Sequence, residues 1–393
     1  MVLHSNKSSA SISYNPKTIG YSVVHDAPEV NDNHRRGEVY FSEEVQKTEI
    51  EKIFMKEWLL AGRVEECEKP GDYFTYRVGD EPFVVVKEKD GNIQAFANVC
   101  RHRGVQVAWE SGNTKYFSCP YHGWVYDTSG RLVDAQYLEK SKTFQKENCR
   151  LPIIKTAVWE GFIFINFDPD ARPLMDSLER WGFPEVYGPY QMGRLRLATK
   201  FKMDLACNWK FLIENAVEAY HTGTVHKESL GRQNSIPIAC QGNWDALFVY
   251  VENHTNLAVL PGTSTPLPTI PNLNEMQLRG TYFTDIYPCT QFVFANDCMW
   301  WLGIHPKQVD NTHVTLGACF PISTTKLPSF PEAVRHYYHR WQSATPEDNQ
   351  IAELQQEGCA TNPPGGRFHS EETLVYRFAN WLLDQVLEEP TVR

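Results

Sequence analysis

The sequence predicts an α+β protein in which a small antiparallel β domain precedes a larger domain of antiparallel sheet and covering helices. Short β-rich runs at 72–78, 82–87 and 93–99 are separated by turns containing Gly and Asp. A second set of apolar strands lies between residues 246 and 320, and helical patterns follow from about 330 to 388. Helices that follow the strands of one sheet are expected to cover a face of that sheet.

Changes of pattern divide the 393 residues into three segments. Residues 1–57 are interpreted as a loosely held arm and a helix beginning after Ser42, which packs on the larger domain. Residues 58–168 form the small β domain and end in a buried strand at 159–167, and residues 169–393 form the larger domain. In the larger domain we expect strands at 246–252, 280–287, 290–295, 299–305 and 312–320, and helices at 208–219, 330–343, 346–357 and 371–388.

The composition excludes several classes of protein. A net charge of −10 without any basic run argues against binding to nucleic acid. The first residues lack the apolar segment of a secretory signal, and no apolar run approaches the ~20 residues of a membrane helix. The sequence therefore predicts a cytoplasmic protein that spans no membrane. Its ten cysteines are then more consistent with ligands or reduced thiols than with disulfides.

Two short segments each offer one thiolate and one imidazole. Residues 100–104 read Cys-Arg-His-Arg-Gly, and residues 119–124 read Cys-Pro-Tyr-His-Gly-Trp. Two cysteines and two histidines suit either zinc or an iron–sulfur cluster in which histidines replace cysteines on one iron. Zinc fingers pair Cys with Cys and His with His, whereas here a Cys-His pair occurs twice, each expected at the tip of a β hairpin. Gly104 and Gly123 allow tight turns there.

This pattern resembles the Rieske family, in which C-x-H is followed after a spacer of this length by C-x-x-H. The resemblance implies a [2Fe–2S] cluster whose inner iron is bound by Cys100 and Cys119 and whose outer iron is bound by His102 and His122. Neutral histidine ligands raise the reduction potential of such a cluster relative to thiolates.

A second constellation follows residue 208. The segment 208–221 has helical composition and ends in His221, and His226 follows five residues later. Two histidines and a carboxylate on one face of an iron leave positions open for O₂ and substrate. The run resembles the catalytic domain of Rieske non-haem iron oxygenases, which makes His221 and His226 iron ligands. By the same resemblance the third ligand is Asp348, with Glu347 as the rival, at a helix start where Thr345 is the N-cap and Pro346 the first residue.

Glu218 lies three residues before His221. Most family members carry a bridging carboxylate, usually Asp, at this place. The resemblance implies that Glu218 links His221 to the outer Rieske histidine, His122, of a neighbouring subunit and so carries electrons between them. Members with Glu here include oxygenases of carnitine and glycine betaine, which favours a quaternary ammonium substrate.

The resemblance implies a terminal oxygenase (alpha) subunit of the superfamily of ring-hydroxylating dioxygenases and quaternary-ammonium monooxygenases. It would combine a Rieske domain with a helix-grip catalytic domain and carry one Fe(II) per subunit, with O₂ as co-substrate. The sequence contains no G-x-G-x-x-G dinucleotide motif. We therefore expect a separate NAD(P)H-dependent reductase, with or without a ferredoxin, and a homotrimer or an α₃β₃ assembly.

Two substrate classes remain open. One is a methylated or quaternary amine, hydroxylated by monooxygenation and so demethylated, and the other is an aromatic or alicyclic ring. Aromatic residues in the expected pocket strands would suit either class, since aromatic faces bind ammonium groups and also stack on rings. They are Trp244, Phe248, Tyr250, Phe292, Phe294, Trp300 and Trp301. The alternative from another class is an electron-transfer Rieske protein whose second site is inactive.

Overall fold

The structure, a computed structural model, describes residues 37–136, 138, 141–178, 183–238, 243–264, 267–363 and 365–386. The predicted arm lies outside these residues as far as residue 36. Two short helices, α1 (Glu38–Phe41) and α2 (Glu43–Glu49), follow it, and the Ser42 hydroxyl caps α2 by accepting from the Val45 N–H. A π-helical turn, Ile50–Phe54, leads from α2 into the first sheet.

The first sheet is antiparallel and has seven strands in the order β1-β10-β9-β4-β3-β2-β5, with a three-stranded sheet β6-β7-β8 beside it. The strands are β1 (Leu59–Arg63), β2 (Asp72–Val78), β3 (Glu81–Lys87), β4 (Ile93–Ala97), β5 (Ser111–Asn113), β6 (Tyr116–Ser118), β7 (Val125–Asp127), β8 (Leu132–Asp134), β9 (Ile153–Trp159) and β10 (Phe162–Asn166). The three runs predicted between 72 and 99 are thus strands. The middle strand, β3, is buried on both faces: Phe83 and Val85 pack into one core, and Val84 and Val86 pack into another.

The two Cys-His segments lie in different kinds of loop. Residues 119–124 form the tip of the β6–β7 hairpin, as expected. Residues 100–104 lie between β4 and β5, which are not neighbours in the sheet. The expectation of two hairpin tips is therefore corrected for the first segment.

The second sheet is also antiparallel and has seven strands in the order β11-β17-β16-β15-β14-β13-β12. The strands are β11 (Leu195–Leu205), β12 (Asn234–Ile238), β13 (Trp244–Tyr250), β14 (Thr281–Ile286), β15 (Thr290–Phe294), β16 (Met299–Gln308) and β17 (Asn311–Pro321). The five predicted strands are present within a few residues, and the sequence analysis missed β11 and β12. The long strand β11 lies at the sheet edge beside β17, where its alternating charged residues remain largely solvated.

Helices lie against both faces of this second sheet. They are α3 (Leu174–Leu178), α4 (Phe183–Tyr187), α5 (Trp209–Ala216), α6 (Thr222–Val225), α7 (Glu275–Arg279), α8 (Ile322–Thr325), α9 (Phe330–Cys359) and α10 (Thr373–Val386). Of these, α5, α9 and α10 lie against the face that carries Leu247 and Val249. The opposite face packs on α4 and on Phe162 and Phe164 of the first sheet. The α+β fold, with a β domain and a helix-covered antiparallel sheet, is confirmed.

The two helices predicted on either side of Thr345 are one continuous helix, α9. Pro346 lies inside it, so Thr345 is not an N-cap, and that prediction was wrong. A proline in a helix interior removes one backbone hydrogen bond and costs roughly 3 kcal/mol. Buried side chains on both sides of it, including Tyr337, Trp341 and Ala352, keep the helix against the protein and offset that cost.

No helix among the described residues is long and apolar enough to cross a bilayer.

Candidate metal centres and the cavity beside them

Helix α5 is anchored by the segment that precedes the first sheet. The Lys210 ammonium forms a fully buried ion pair with Glu49, with 2.8 Å between Nζ and Oε1. The Trp209 indole N–H donates to the other Glu49 oxygen at 3.0 Å. Asn208 caps α5 by accepting from the Lys210 N–H. The Asn-Trp-Lys run is therefore an anchor for α5, and it fixes where the chain emerges at Val217.

Three possible metal ligands meet where α5 ends. Asp348 Oδ1 lies 3.1 Å from Nε2 of His226 and 3.6 Å from Nε2 of His221. The ligand atoms of these three residues all lie within 4.8 Å of one another, and no other such group of three occurs among the described residues. Short helix α6 separates the histidines, and α9 supplies Asp348. Two imidazoles and one carboxylate on one side of a metal are the donor set of non-haem iron sites.

The remaining nitrogen of each histidine is held by a second carboxylate. His221 Nδ1 lies 2.5 Å from Glu218 Oε1, and His226 Nδ1 lies 2.7 Å from Glu347 Oε2. A carboxylate accepts the Nδ1 proton, so this pattern assigns the tautomer in which Nε2 carries the free lone pair. Both lone pairs then point towards Asp348. The rival ligand Glu347 therefore has a different position, behind His226.

Two polar residues that the sequence analysis gave no role support the carboxylates. The Asn215 amide donates to Asp348 Oδ1 at 3.4 Å, and the Ser229 hydroxyl donates to Glu347 at 2.5 Å. Burial alone would lower the pKa of His226, but the carboxylates of Asp348 and Glu347 outweigh burial and raise it. Only the folded positions reveal these contacts, because α9 lies more than a hundred residues from the histidines.

Glu347 gives a first prediction. We expect Glu347→Ala to weaken the binding of iron by His221, His226 and Asp348, which we call the triad, by about 10–100-fold. The reason is that His226 loses the group that orients its ring. Iron content after dialysis against a graded series of chelator concentrations measures this. Ser229→Ala, which leaves the His226–Glu347 contact in place, is the matched control and should have a smaller effect. Retention as in the wild type, or a loss as complete as that of Asp348→Ala, would contradict the assigned position.

A cavity of about 100 Å³ opens beside the triad. The apolar part of its wall is mainly aliphatic and includes Leu205, Leu212, Leu230, Leu247, Val249, Leu302, Val314 and Leu316. Two aromatic side chains, Phe283 and Trp300, and one cation, Arg340, complete it together with polar residues near the triad.

Of the seven aromatic residues expected in the pocket, only Trp300 lines this cavity. Trp244, Phe248, Phe292, Phe294 and Trp301 lie in the core on the opposite face of the sheet, and Tyr250 packs against them. The physical reason is the period of two along a strand, which turns neighbouring side chains to opposite faces. On β13, for example, Leu247 and Val249 face the cavity while Phe248 between them faces away. The expected aromatic wall is therefore replaced by one in which aliphatic side chains form most of the apolar part.

The first constellation is formed by two loops with the same backbone pattern. The Gly104 N–H donates to the Cys100 carbonyl and the Gly123 N–H donates to the Cys119 carbonyl, both at 3.0 Å. The two glycines have φ of +80° and +68°, a region that side chains rarely adopt. Each loop therefore turns tightly enough to present its cysteine and its histidine to the same space.

The four side chains form two like pairs. Cys100 and Cys119 are buried, and burial together with the neighbouring Cys100 thiol raises the pKa of Cys119. The rings of His102 and His122 lie 4.5 Å apart and are exposed. Paired thiols inside and paired imidazoles outside fit a cluster with two irons better than one tetrahedral zinc. The Tyr126 hydroxyl lies 3.4 Å from Cys100 Sγ and also accepts the Arg101 N–H, so it can donate to a cluster ligand.

Comparisons with known proteins agree with both centres. The family model described as Rieske [2Fe-2S] domain matches residues 57–145, and the one described as ring hydroxylating alpha subunit (catalytic domain) matches residues 192–388. The benzene 1,2-dioxygenase subunit alpha of Pseudomonas putida is 37% identical over 194 residues, which are 47% of this chain and 42% of that protein. The carnitine monooxygenase oxygenase subunit of Acinetobacter pittii is 29% identical over 259 residues, 64% of this chain and 66% of that protein.

Solved structures share the fold. A quaternary ammonium Rieske monooxygenase in complex with L-carnitine superposes with a TM-score of 0.74 at 24% identity, covering 91% of this chain and 97% of that one. Naphthalene 1,2-dioxygenase from a Rhodococcus species bound to indole gives 0.75 at 20% identity, covering 91% and 95%. The sequence matches to these two curated relatives span 47% and 64% of this chain and 42% and 66% of the relatives, in each case less than two thirds of the relative. Because the catalytic-domain family model alone covers half of the chain and a Rieske domain precedes it, the protein belongs to the ring-hydroxylating alpha-subunit family of Rieske oxygenases.

Proposed function

We propose that this chain is the terminal oxygenase component of a Rieske non-haem iron system that hydroxylates a small organic substrate with O₂. The observation that carries the proposal is the triad itself. Nε2 of His221, Nε2 of His226 and Asp348 Oδ1 converge at the edge of a cavity, and the other nitrogen of each histidine is held by a carboxylate. This intact donor set also argues against a pure electron carrier.

In this proposal, Cys100, Cys119, His102 and His122 bind the [2Fe–2S] cluster, and His221, His226 and Asp348 bind one Fe(II). Iron at the triad would supply the activation of O₂, and the cluster would supply electrons. The chain's own residues prepare the site for this. Glu218 and Glu347 accept from Nδ1 and fix the orientation of the two rings, so that Nε2 of each neutral imidazole is the atom offered to the metal, and the aliphatic residues of the wall would exclude water around the substrate.

Glu218 is proposed as the electron-transfer bridge between subunits. Its two oxygens contact His221, one at Nδ1 and one at the backbone N–H at 3.1 Å. His102 and His122 are exposed at the surface of the small domain, where a neighbour's catalytic domain can reach them. We propose that Glu218 of one chain meets His122 of the next in a homotrimer or α₃β₃ assembly. A separate NAD(P)H-dependent reductase, with or without a ferredoxin, would reduce the cluster, in the cytoplasm.

We propose two alternative substrate classes. A methylated or quaternary amine is supported by Glu218 and by the similarity to the carnitine monooxygenase subunit over 259 residues. Ring hydroxylation is supported by the aliphatic residues of the cavity wall and by the 37% identity over 194 residues to the benzene 1,2-dioxygenase alpha subunit. The cavity offers an ammonium group only two aromatic faces, and the guanidinium of Arg340 already lies over one of them, that of Trp300.

A substrate screen tests the proposed function. The iron-loaded protein, supplied with NAD(P)H and a Rieske-oxygenase reductase, is offered methylated amines and aromatic or alicyclic compounds while oxygen uptake is followed. We expect at least one compound to stimulate uptake and to give a product that carries label from ¹⁸O₂. A chain that contains both centres but consumes oxygen with none of these compounds would contradict the proposal.

A further inference from the structure

Arg340 is a buried cation that lines the cavity. Its side chain is 7% exposed, and it lies on α9, eight residues before Asp348. Eight residues of helix span about 12 Å, so the separation of the two residues along α9 is comparable to the length of a small organic molecule. Burial lowers the pKa of Arg340 to about 10, which still leaves the guanidinium protonated at neutral pH.

The hydrogen bonds of Arg340 leave most of its donors unused. Nε donates to the Leu257 carbonyl at 3.2 Å, and the guanidinium lies over the Trp300 ring at 5.2 Å. Within the described part of the chain, neither terminal nitrogen has a hydrogen-bond acceptor, and no carboxylate lies within 4.0 Å. A guanidinium carries five N–H donors in a planar fork that matches a carboxylate.

A second buried arginine shows what a purely structural role looks like in this protein. Arg63 is 1% exposed and donates to both carboxylate oxygens of Glu65 and to the carbonyls of Glu160 and Leu195. The charge of Arg63 is paired with that of Glu65, and all three guanidinium nitrogens donate hydrogen bonds. Arg340 is nearly as buried, yet no carboxylate of the described residues is in contact with it, and the carboxylates of Asp348 and Glu347 attract its charge only from beyond contact distance. A buried guanidinium whose terminal N–H groups have no acceptor is costly, which indicates a ligand at the cavity wall that accepts from them.

We propose that Arg340 binds an anionic group, a carboxylate, of the substrate and so orients the rest of the molecule towards the triad. This inference rests on the proposed function, because it takes the cavity as the substrate site. It restricts both substrate classes to molecules that carry a carboxylate. These are a methylated amine with a carboxylate, or an aromatic or alicyclic carboxylic acid. The aliphatic residues that line the same cavity would contact the apolar body of such a molecule.

Binding of matched acids and amides tests this. The probes are benzoate, hexanoate and 4-(trimethylammonio)butyrate, each compared with its own amide by calorimetry on the iron-loaded protein. At least one acid is expected to bind about tenfold or more tightly than its amide, since hydrogen bonds to a charged group are worth that much. Arg340→Gln should abolish the preference, and Arg335→Gln, an exposed arginine of the same helix, should retain it.

Several outcomes would overturn the proposal. One is that no acid binds more tightly than its amide, and another is that the preference survives in Arg340→Gln. A third is that the preference is lost in His221→Ala but kept in Arg340→Gln, because the acid would then be bound by the metal. If Arg340→Gln does not fold, Arg340→Lys must show a weaker preference than the wild type, and an equal one contradicts the proposal. Binding needs no turnover, so failure of the oxygenase assay would leave this result standing, and the reverse also holds.

Discussion

Replacing His221 with alanine is expected to remove the mononuclear iron and abolish substrate-dependent oxygen uptake while leaving the Rieske cluster intact. His221 Nε2 is one of three donors, and the two that remain hold the metal weakly. Iron analysis should therefore fall from about three to about two atoms per chain. The visible absorption and the electron paramagnetic resonance of the cluster should not change, because Cys100 and His102 lie in a loop that joins two strands of the other sheet.

The matched control for this variant is His336→Ala, which removes an exposed imidazole from α9. It should keep both the iron and the turnover of the wild type. If His221→Ala retains full iron content and oxygen uptake, the assignment of the triad is wrong. If it loses the cluster as well, the two centres are not independent in the way that the structure indicates.

The second large effect is expected for Glu218→Gln. This substitution removes the charge that holds the His221 Nδ1 proton but leaves all three triad donors in place. Iron content and the cluster spectrum should stay as in the wild type. The substrate-dependent reoxidation of the reduced cluster should slow by about 10–100-fold, since a group behind a metal ligand typically contributes that much and this one is also the proposed bridge.

Rapid mixing of the reduced protein with oxygen measures this rate. Glu228→Gln, which changes an exposed carboxylate between His226 and Ser229, is the control and should reoxidise at the wild-type rate. A wild-type rate in Glu218→Gln would contradict the bridging role. Loss of iron in this variant would instead assign Glu218 mainly to metal binding.

Local patterns predicted what depends on local geometry. The two glycine turns and their Cys-His spacing were readable because each loop is a few residues long. His221 and His226 were assigned by the family resemblance, and the structure shows that one short helix joins them. The resemblance chose Asp348 over Glu347, although both lie in the same turn of α9. The fold places Asp348 beside Nε2 of His226 and Glu347 beside its Nδ1.

The residues that line the cavity were the part of the site least predictable from the sequence. Trp300 and Trp301 are adjacent and chemically alike, yet one lines the cavity and the other packs against Phe162 on the opposite face. The strand register decides which of the two faces the cavity, and that register could not be predicted from the residue types alone. Arg340 was missed for a similar reason, since a single arginine in an amphipathic helix has no feature that distinguishes a cavity wall from solvent.

The continuity of α9 also depends on tertiary structure. The Thr345-Pro346 pair favours a helix start on local grounds, and packing of the residues on both sides overrides that preference. The consequence for the site is geometric. Arg340, Glu347 and Asp348 belong to one rigid element, so the proposed substrate anchor and the proposed metal ligand are held at a fixed separation.

A single-turnover experiment tests the central claim, that the cluster and the triad act together on a bound substrate, most directly. The cluster of the loaded protein is reduced, the reductant is removed, and oxygen is added with or without a compound identified by the screen. The account predicts that the compound accelerates cluster reoxidation and that ¹⁸O-labelled product forms in proportion to the mononuclear iron. Reoxidation at the same rate with and without the compound, and without product, would contradict it.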